Sequence, residues 1–207
     1  MSIYEHALRV FDCAEVGILP PDWTDQVYRT SDRFSILVHL DGDSKDSREA
    51  AGSTGIDYYV VTGDIVAREL PWLYNLYTSR FLDLASQASG VRLEPAINIR
   101  QGININTLRG QGARYEWHVD PNPVTGILFA DSLDQEDGGE LLIDRPVGKV
   151  TFRPRKGSFL AFGAQVPHSV APLKVGKTRI SIPMIYYING QIQEWNSDLD
   201  SYLYGRR

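Results

Sequence analysis

Cysteine is nearly absent: Cys13 is the one cysteine in 207 residues. That excludes an intramolecular disulfide framework and a cysteine-rich zinc site. Long apolar runs are absent as well. The longest are a few residues, against the roughly 20 that a membrane-spanning helix needs. The opening residues, Met1 to His6, lack a basic stretch followed by an apolar core, so no secretory signal is read there. There is no excess of positive charge. Lys and Arg total 21 against 26 Asp and Glu, giving a net charge of −5. Sequence-independent nucleic-acid binding depends on neutralising phosphates, and an acidic chain is poorly suited to it. The expectation is a soluble cytoplasmic protein with neither nucleic acid nor membrane as partner. Hydrophobic residues make up 43% and charged residues 23%, an ordinary globular balance that argues against disorder. The length suits one domain, residues 1–207.

The pattern along the chain changes near residue 90. Residues 3–15 read as a short helix or strand, and 34–40 as a strand. Residues 41–55 are polar and rich in Gly and Ser, which marks a loop long enough to serve as a lid. From Asp64 to Ala88, apolar residues recur at three- and four-residue spacing, the helical signature. Asp64 reads as the N-cap, Gly90 as the stop, and Pro71 as a kink or second start. Beyond Gly90, short strands alternate with turn residues. They are placed at 96–108, 114–120, 125–131, 140–144, 149–153, 158–163, 166–170 and 178–188. Such spacing suggests an antiparallel sandwich, barrel or jelly roll. The expected architecture is mainly β with supporting helices: a helical region over 1–90, a β core over 91–190 and an extension over 191–207.

Two of the four histidines stand in informative places. In Trp117-His118-Val119-Asp120, residues two apart share one strand face, so His118 and Asp120 can present an imidazole and a carboxylate to one metal. His168 completes a set of two histidines and one carboxylate. That set leaves three coordination positions open and suits non-haem Fe(II). Eleven residues after His168 comes Arg179, sharing a strand face with Ser181. A guanidinium fork beside a hydroxyl suits one end of a dicarboxylic acid. Ile180 and Ile182 are expected to face the packing between sheets, and Trp117, facing away from His118, to pack between sheets too.

Four blocks in order resemble the Fe(II)/2-oxoglutarate-dependent dioxygenases, in their prolyl-hydroxylase-like branch, over about residues 98–188. Asn106 to Tyr115 leads into His118 and Asp120. Gly138-Gly139-Glu140-Leu141 matches the family's glycine-glycine-glutamate-leucine turn. Lys156 to Phe162 matches the strand before the distal histidine, and His168 to Arg179 closes the series. The resemblance implies a double-stranded β-helix (jelly-roll) core with helices packed on one sheet. It implies Fe(II) on His118, Asp120 and His168, with 2-oxoglutarate held at its far end by Arg179 and Ser181, and O2 as oxidant. Asn104 and Asn106, alternating into one face, would hydrogen-bond the cosubstrate's other carboxylate. Relatives often carry a tyrosine where Arg109 stands, so Arg109 is a further candidate for the cosubstrate, for a substrate carboxylate, or for solvent.

The implied reaction is hydroxylation, with 2-oxoglutarate converted to succinate and carbon dioxide. A free small molecule, an amino acid or biosynthetic intermediate, is the expected substrate. Arg100, Arg114, Glu116 and Trp117 are placed near the mouth of the site. A peptide or protein side chain is the alternative. A non-catalytic jelly-roll binding module is a third reading, which needs neither open coordination positions nor a dicarboxylate clamp. Residues 41–55 are the expected lid, shielding a reactive intermediate from water. The oligomeric state is left open.

Overall fold

The computed structural model describes residues 6–38 and 57–193. The expected lid at 41–55 lies outside the described residues. The chain opens with β1 (Leu8–Asp12), α1 (Trp23–Phe34), β2 (Ile36–Leu37) and β3 (Asp57–Val61). Four helical segments follow around one short strand: α2 (Gly63–Glu69), α3 (Pro71–Thr78), α4 (Arg80–Ser89), β4 (Leu93–Pro95) and α5 (Ile99–Gly102). The rest is strand: β5 (Ile105–Arg109), β6 (Tyr115–His118), β7 (Val124–Phe129) and β8 (Leu141–Arg145). β9 (Gly148–Phe152), β10 (Ser158–Gly163), β11 (His168–Val170) and β12 (Thr178–Ile188) complete it. Among the described residues no helix is long and apolar enough to cross a membrane.

Among the described residues all strand pairings are antiparallel, in two sheets. The large sheet runs β1-β10-β7-β12-β5-β3-β2, with β4 also on β12. The small sheet runs β6-β11-β8-β9. Two apolar clusters follow from this layering. One lies between the helices and the large sheet, where Phe81 stacks on Phe159 at 4.6 Å. The other fills the space between the sheets, around Phe129, Leu160 and Phe162. Each such fully buried side chain contributes roughly 1.5–3 kcal/mol. This is the jelly-roll arrangement expected.

The helical run over 64–88 is present, broken where Pro71 stands. Leu70 ends α2 and precedes α3, whose first residue is Pro71, where no N–H is required. Gly90 closes α4 in the left-handed conformation at φ 72°, its N–H donating to the Ser86 carbonyl. Thr62, not Asp64, occupies the N-cap position of α2. Gly63 allows α2 to lie against α5, because a Cβ there would sit 1.8 Å from the Ile99 carbonyl oxygen.

Several expectations are corrected. α1 has no counterpart in the sequence reading, because much of its buried stripe is polar: Thr24, Thr30 and Ser31 accompany Trp23 and Val27. Ser31 and Thr107 hydroxyls hydrogen-bond at 2.9 Å, so the helix docks partly through polar contacts that apolar periodicity cannot show. Phe34 consequently ends a helix instead of opening a strand. The strand expected from residue 96 is interrupted by the turn α5, capped by Asn98 accepting from the Arg100 N–H. Ile180 and Ile182 pack toward the helices, not between the sheets. Trp117 does face away from the cavity, but it is 48% exposed with Lys149 over its ring, since among the described residues no layer covers that side of the small sheet.

Candidate active site

The space between the sheets narrows to a cavity of about 70 Å³ whose lining includes His118, Asp120, His168, Arg179, Ser181, Asn104 and Asn106. Seven of the eight residues singled out from the sequence meet there. The small sheet and its turns supply the first three. β6 and β11 pair His118 with His168 and Tyr115 with Val170, so two intervening residues on β6 oppose one on β11. That bulge turns both Tyr115 and His118 inward despite their odd spacing, as bulges beside functional sites do.

Backbone carbonyls orient both imidazoles. His118 Nδ1 lies 2.7 Å from the Glu116 carbonyl, and His168 Nδ1 lies 2.9 Å from that of Val166. A carbonyl only accepts, so each Nδ1 carries the proton and each Nε2 presents a lone pair. Asp120 follows β6 and is held by its N–H on the Ala164 carbonyl at 3.1 Å. Its Oδ1 is 3.7 Å from His118 Nε2 and its Oδ2 is 3.6 Å from His168 Nε2. The three donor atoms lie within 4.8 Å of one another, close enough to share one ion. Phe162 meets the His168 ring edge-on at 5.1 Å and fixes it from the side.

The large sheet supplies the other wall. Arg179 is buried, its Nε donating to the Gly139 carbonyl at 3.1 Å and its Nη1 to Ser181 Oγ at 2.9 Å. Gly139 is required for that contact: its φ is 78°, and a Cβ would meet Leu133 and Leu173 below 3.0 Å. Burial pulls the Arg179 pKa down to about 10, still far above neutrality, so the guanidinium stays charged. Among the described residues no carboxylate lies within ion-pairing distance of it. Asp131 attracts it only from beyond ion-pairing distance, a buried charge so weakly compensated is costly, and the arrangement therefore favours an anion in the cavity.

Asn106 lies across from Ser181 in the β5–β12 register, and its buried Oδ1 has no hydrogen-bond partner. Asn104 reaches the cavity too, with its NH2 donating to the Arg100 and Ile103 carbonyls. Arg109 does not reach it. Residues 104 and 106 face inward, so 109 faces the helices, where it pairs with Asp32 at 2.6 Å and lies over the Tyr59 ring. Arg100, Arg114, Glu116 and Trp117 do not line the cavity either. Arg114 pairs with Glu116 at 2.7 Å, and Arg100 with Asp64 at 3.7 Å. Tyr58 and Tyr115, meeting edge-on at 5.1 Å, are cavity residues the sequence reading did not single out. The inward alternation of Asn106 and Leu108 would have pointed to Tyr58, their neighbour on β3; only the bulge reveals Tyr115.

Two imidazoles and one carboxylate converging beside a buried guanidinium in a jelly roll make a donor set that suits non-haem Fe(II). Residues 103–187 match the family model of the 2OG-Fe(II) oxygenase superfamily. No curated relative matches the chain. Among solved structures, AviO1 from Streptomyces viridochromogenes Tue57 superposes with a TM-score of 0.65 at 13% identity, over 93% of this chain and 95% of its own. A prolyl hydroxylase from Trichoplax adhaerens, in complex with a hypoxia inducible factor peptide fragment, superposes at 0.64 with 17% identity, over 88% and 84%. A 2OG-Fe(II) oxygenase family oxidoreductase from Burkholderia pseudomallei gives 0.63 at 14% identity, over 88% and 86%. Over residues 103–187 the chain is thus similar to the 2OG-Fe(II) oxygenase superfamily, a class that uses Fe(II), 2-oxoglutarate and O2.

Proposed function

We propose that this protein is a 2-oxoglutarate-dependent oxygenase that hydroxylates an unactivated C–H bond of a small molecule, an amino acid or biosynthetic intermediate. In this reading His118, Asp120 and His168 hold Fe(II), and Arg179 and Ser181 hold the distal carboxylate of 2-oxoglutarate. The residues fit both groups. Two Nε2 lone pairs and a carboxylate converge on one point. The observation that carries the reading is Arg179, fully buried on the same cavity, charged, and with Asp131 beyond ion-pairing distance. Asn106, beside Ser181 on the same cavity, would donate from its NH2 to a cosubstrate carboxylate. Asn104 shapes the wall with its NH2 already committed to two carbonyls.

When bound, the iron supplies O2 activation coupled to decarboxylation, so that substrate C–H, 2-oxoglutarate and O2 become substrate C–OH, succinate and carbon dioxide. The chain's own residues bind, orient and shield. Phe162, Leu141 and Val170 make an apolar wall that keeps water from the reacting centre. The cavity, about 70 Å³, has room for a compact ligand at roughly 10–15 Å³ per water-sized group.

The test supplies Fe(II), 2-oxoglutarate and O2, measures succinate, and screens amino acids, biosynthetic intermediates and a peptide library by mass for one added oxygen atom. A hydroxylated small molecule is expected. Oxygen incorporated only into peptides would replace the small-molecule reading. No succinate under any condition would remove the catalytic reading of these residues.

A further inference from the structure

Behind Asp120 a short polar chain runs into an otherwise apolar wall. Thr125 is 3% exposed and Asn122 is 1% exposed. Thr125 Oγ1 lies 3.1 Å from Asp120 Oδ2. Asn122 Nδ2 lies 2.9 Å from Thr125 Oγ1 and 2.8 Å from the Val124 carbonyl oxygen. These contacts define where each proton goes. A carbonyl only accepts, so the Asn122 atom facing Val124 is its NH2, and that group's second N–H donates to Thr125. A hydroxyl has one proton to give, and an ionised carboxylate only accepts. Thr125 therefore donates to Asp120, and the chain has one direction, from Asn122 through Thr125 to Oδ2.

Oδ1 lies nearer His118 Nε2 and Oδ2 nearer His168 Nε2, and Thr125 engages Oδ2 alone; we infer that Asn122 and Thr125 are positioning residues that hold Oδ2 and so keep Asp120 a one-oxygen metal ligand through Oδ1. The inference rests on the metal-site reading given above. A carboxylate free to turn about its last bond can chelate with both oxygens. The second oxygen would then take one of the three positions that the two-histidine, one-carboxylate arrangement leaves open. Thr125 removes that freedom by engaging one oxygen. Asn122 strengthens the restraint because it uses the lone pair of Thr125 that faces it and directs the hydroxyl proton the other way. Partners of this kind, one bond removed from the metal, typically alter metal affinity 10–100-fold.

The probe is Co(II) alone, titrated without cosubstrate into the wild-type protein and into Thr125→Val, Thr125→Ser and Asn122→Ala. Calorimetry gives the Kd, and the visible d–d absorption reports coordination number and geometry. The apo-protein melting temperature shows whether each variant is folded. Thr125→Val is expected to weaken Co(II) about 10–100-fold and to change the band shape. Thr125→Ser should restore both, and Asn122→Ala should fall between. A folded Thr125→Val with the wild-type Kd, or with weakened binding but an unchanged band, overturns the inference. So does a serine variant that restores neither. If the valine variant does not fold, wild-type behaviour in Asn122→Ala overturns it instead. Failure of the wild-type protein itself to bind Co(II) would overturn the metal-site reading, so the two failures are distinguishable.

Discussion

Among the described residues the large sheet is covered on both faces and the small sheet on one, and their strands differ accordingly. β7 and β10 are buried at six consecutive positions each, while β9 is mostly exposed and β8 alternates. Helices on the outer face of the large sheet make that difference, since a strand covered twice has no polar side. The chemistry divides along the same line. The once-covered sheet and the turn after β6 carry the metal donors, and its bulge re-aims β6 so that Tyr115 and His118 both point inward. The twice-covered sheet carries Arg179, the proposed anion clamp, as a fully buried guanidinium. One wall thus contributes lone pairs and the other positive charge, and the cavity exists only where they face each other.

The strongest way to break this division is to remove a donor from the small-sheet side. His118→Ala, Asp120→Ala and His168→Ala should each cut turnover by more than about 100-fold, since even outer partners of a metal ligand cost 10–100-fold. The apo fold should survive, as judged by circular dichroism. Near-wild-type turnover in any of the three would remove that residue from the metal site. On the large-sheet side, Arg179→Lys keeps the charge and loses the fork. A lost charged hydrogen bond of about 1.5–3 kcal/mol should raise the KM for 2-oxoglutarate by roughly 10–100-fold. The substrate KM should change little. An unchanged cosubstrate KM would place the clamp elsewhere.

Asp131 tests how the large sheet is joined to α1. It accepts hydrogen bonds from the Tyr28 hydroxyl and the Ile180 N–H, one residue from Arg179, and burial raises its pKa above the ordinary carboxylate value. A folded-state pKa above the unfolded one means that the folded form binds the proton more tightly. The stability this contributes is complete below the unfolded pKa of about 4, and it is lost as pH rises through the higher folded value. Asp131→Asn should therefore flatten the fall in urea midpoint upward from about pH 4. A difference between wild type and variant that is the same at every pH would contradict this. The smallest effect belongs to Arg109→Ala. Its ion pair with Asp32 is largely exposed and should contribute no more than about 1 kcal/mol. The KM for 2-oxoglutarate should stay at the wild-type value, and a rise would mean that β5 does not present the face described.

The site was more legible in the sequence than its surroundings. His118 and Asp120, and Arg179 and Ser181, are paired by two-residue spacing, His168 stands in the block eleven residues before Arg179, and the long strand expected at 178–188 has those limits in the structure. The helical run over 64–88 was visible because its buried stripe is apolar, and α1 was invisible because its stripe is partly Thr and Ser. Arg109 was misplaced by three residues' worth of alternation. Asn106 faces inward, and an odd offset in a regular strand must face outward. Tyr115 breaks the same rule in the opposite sense, because the β6 bulge inserts a residue before His118.

By itself the sequence determined which side chains can act together on one strand, because the two-residue period is a property of the local backbone. It also determined where turns and helix stops fall, since Pro71 and Gly90 act through their own dihedral restrictions. Only the tertiary structure decided which face of each strand is the inner one. Ile180 and Arg179 differ by one position, yet one meets the helices and the other the cavity. That choice depends on what packs against each face, and the partners come from residues distant along the chain.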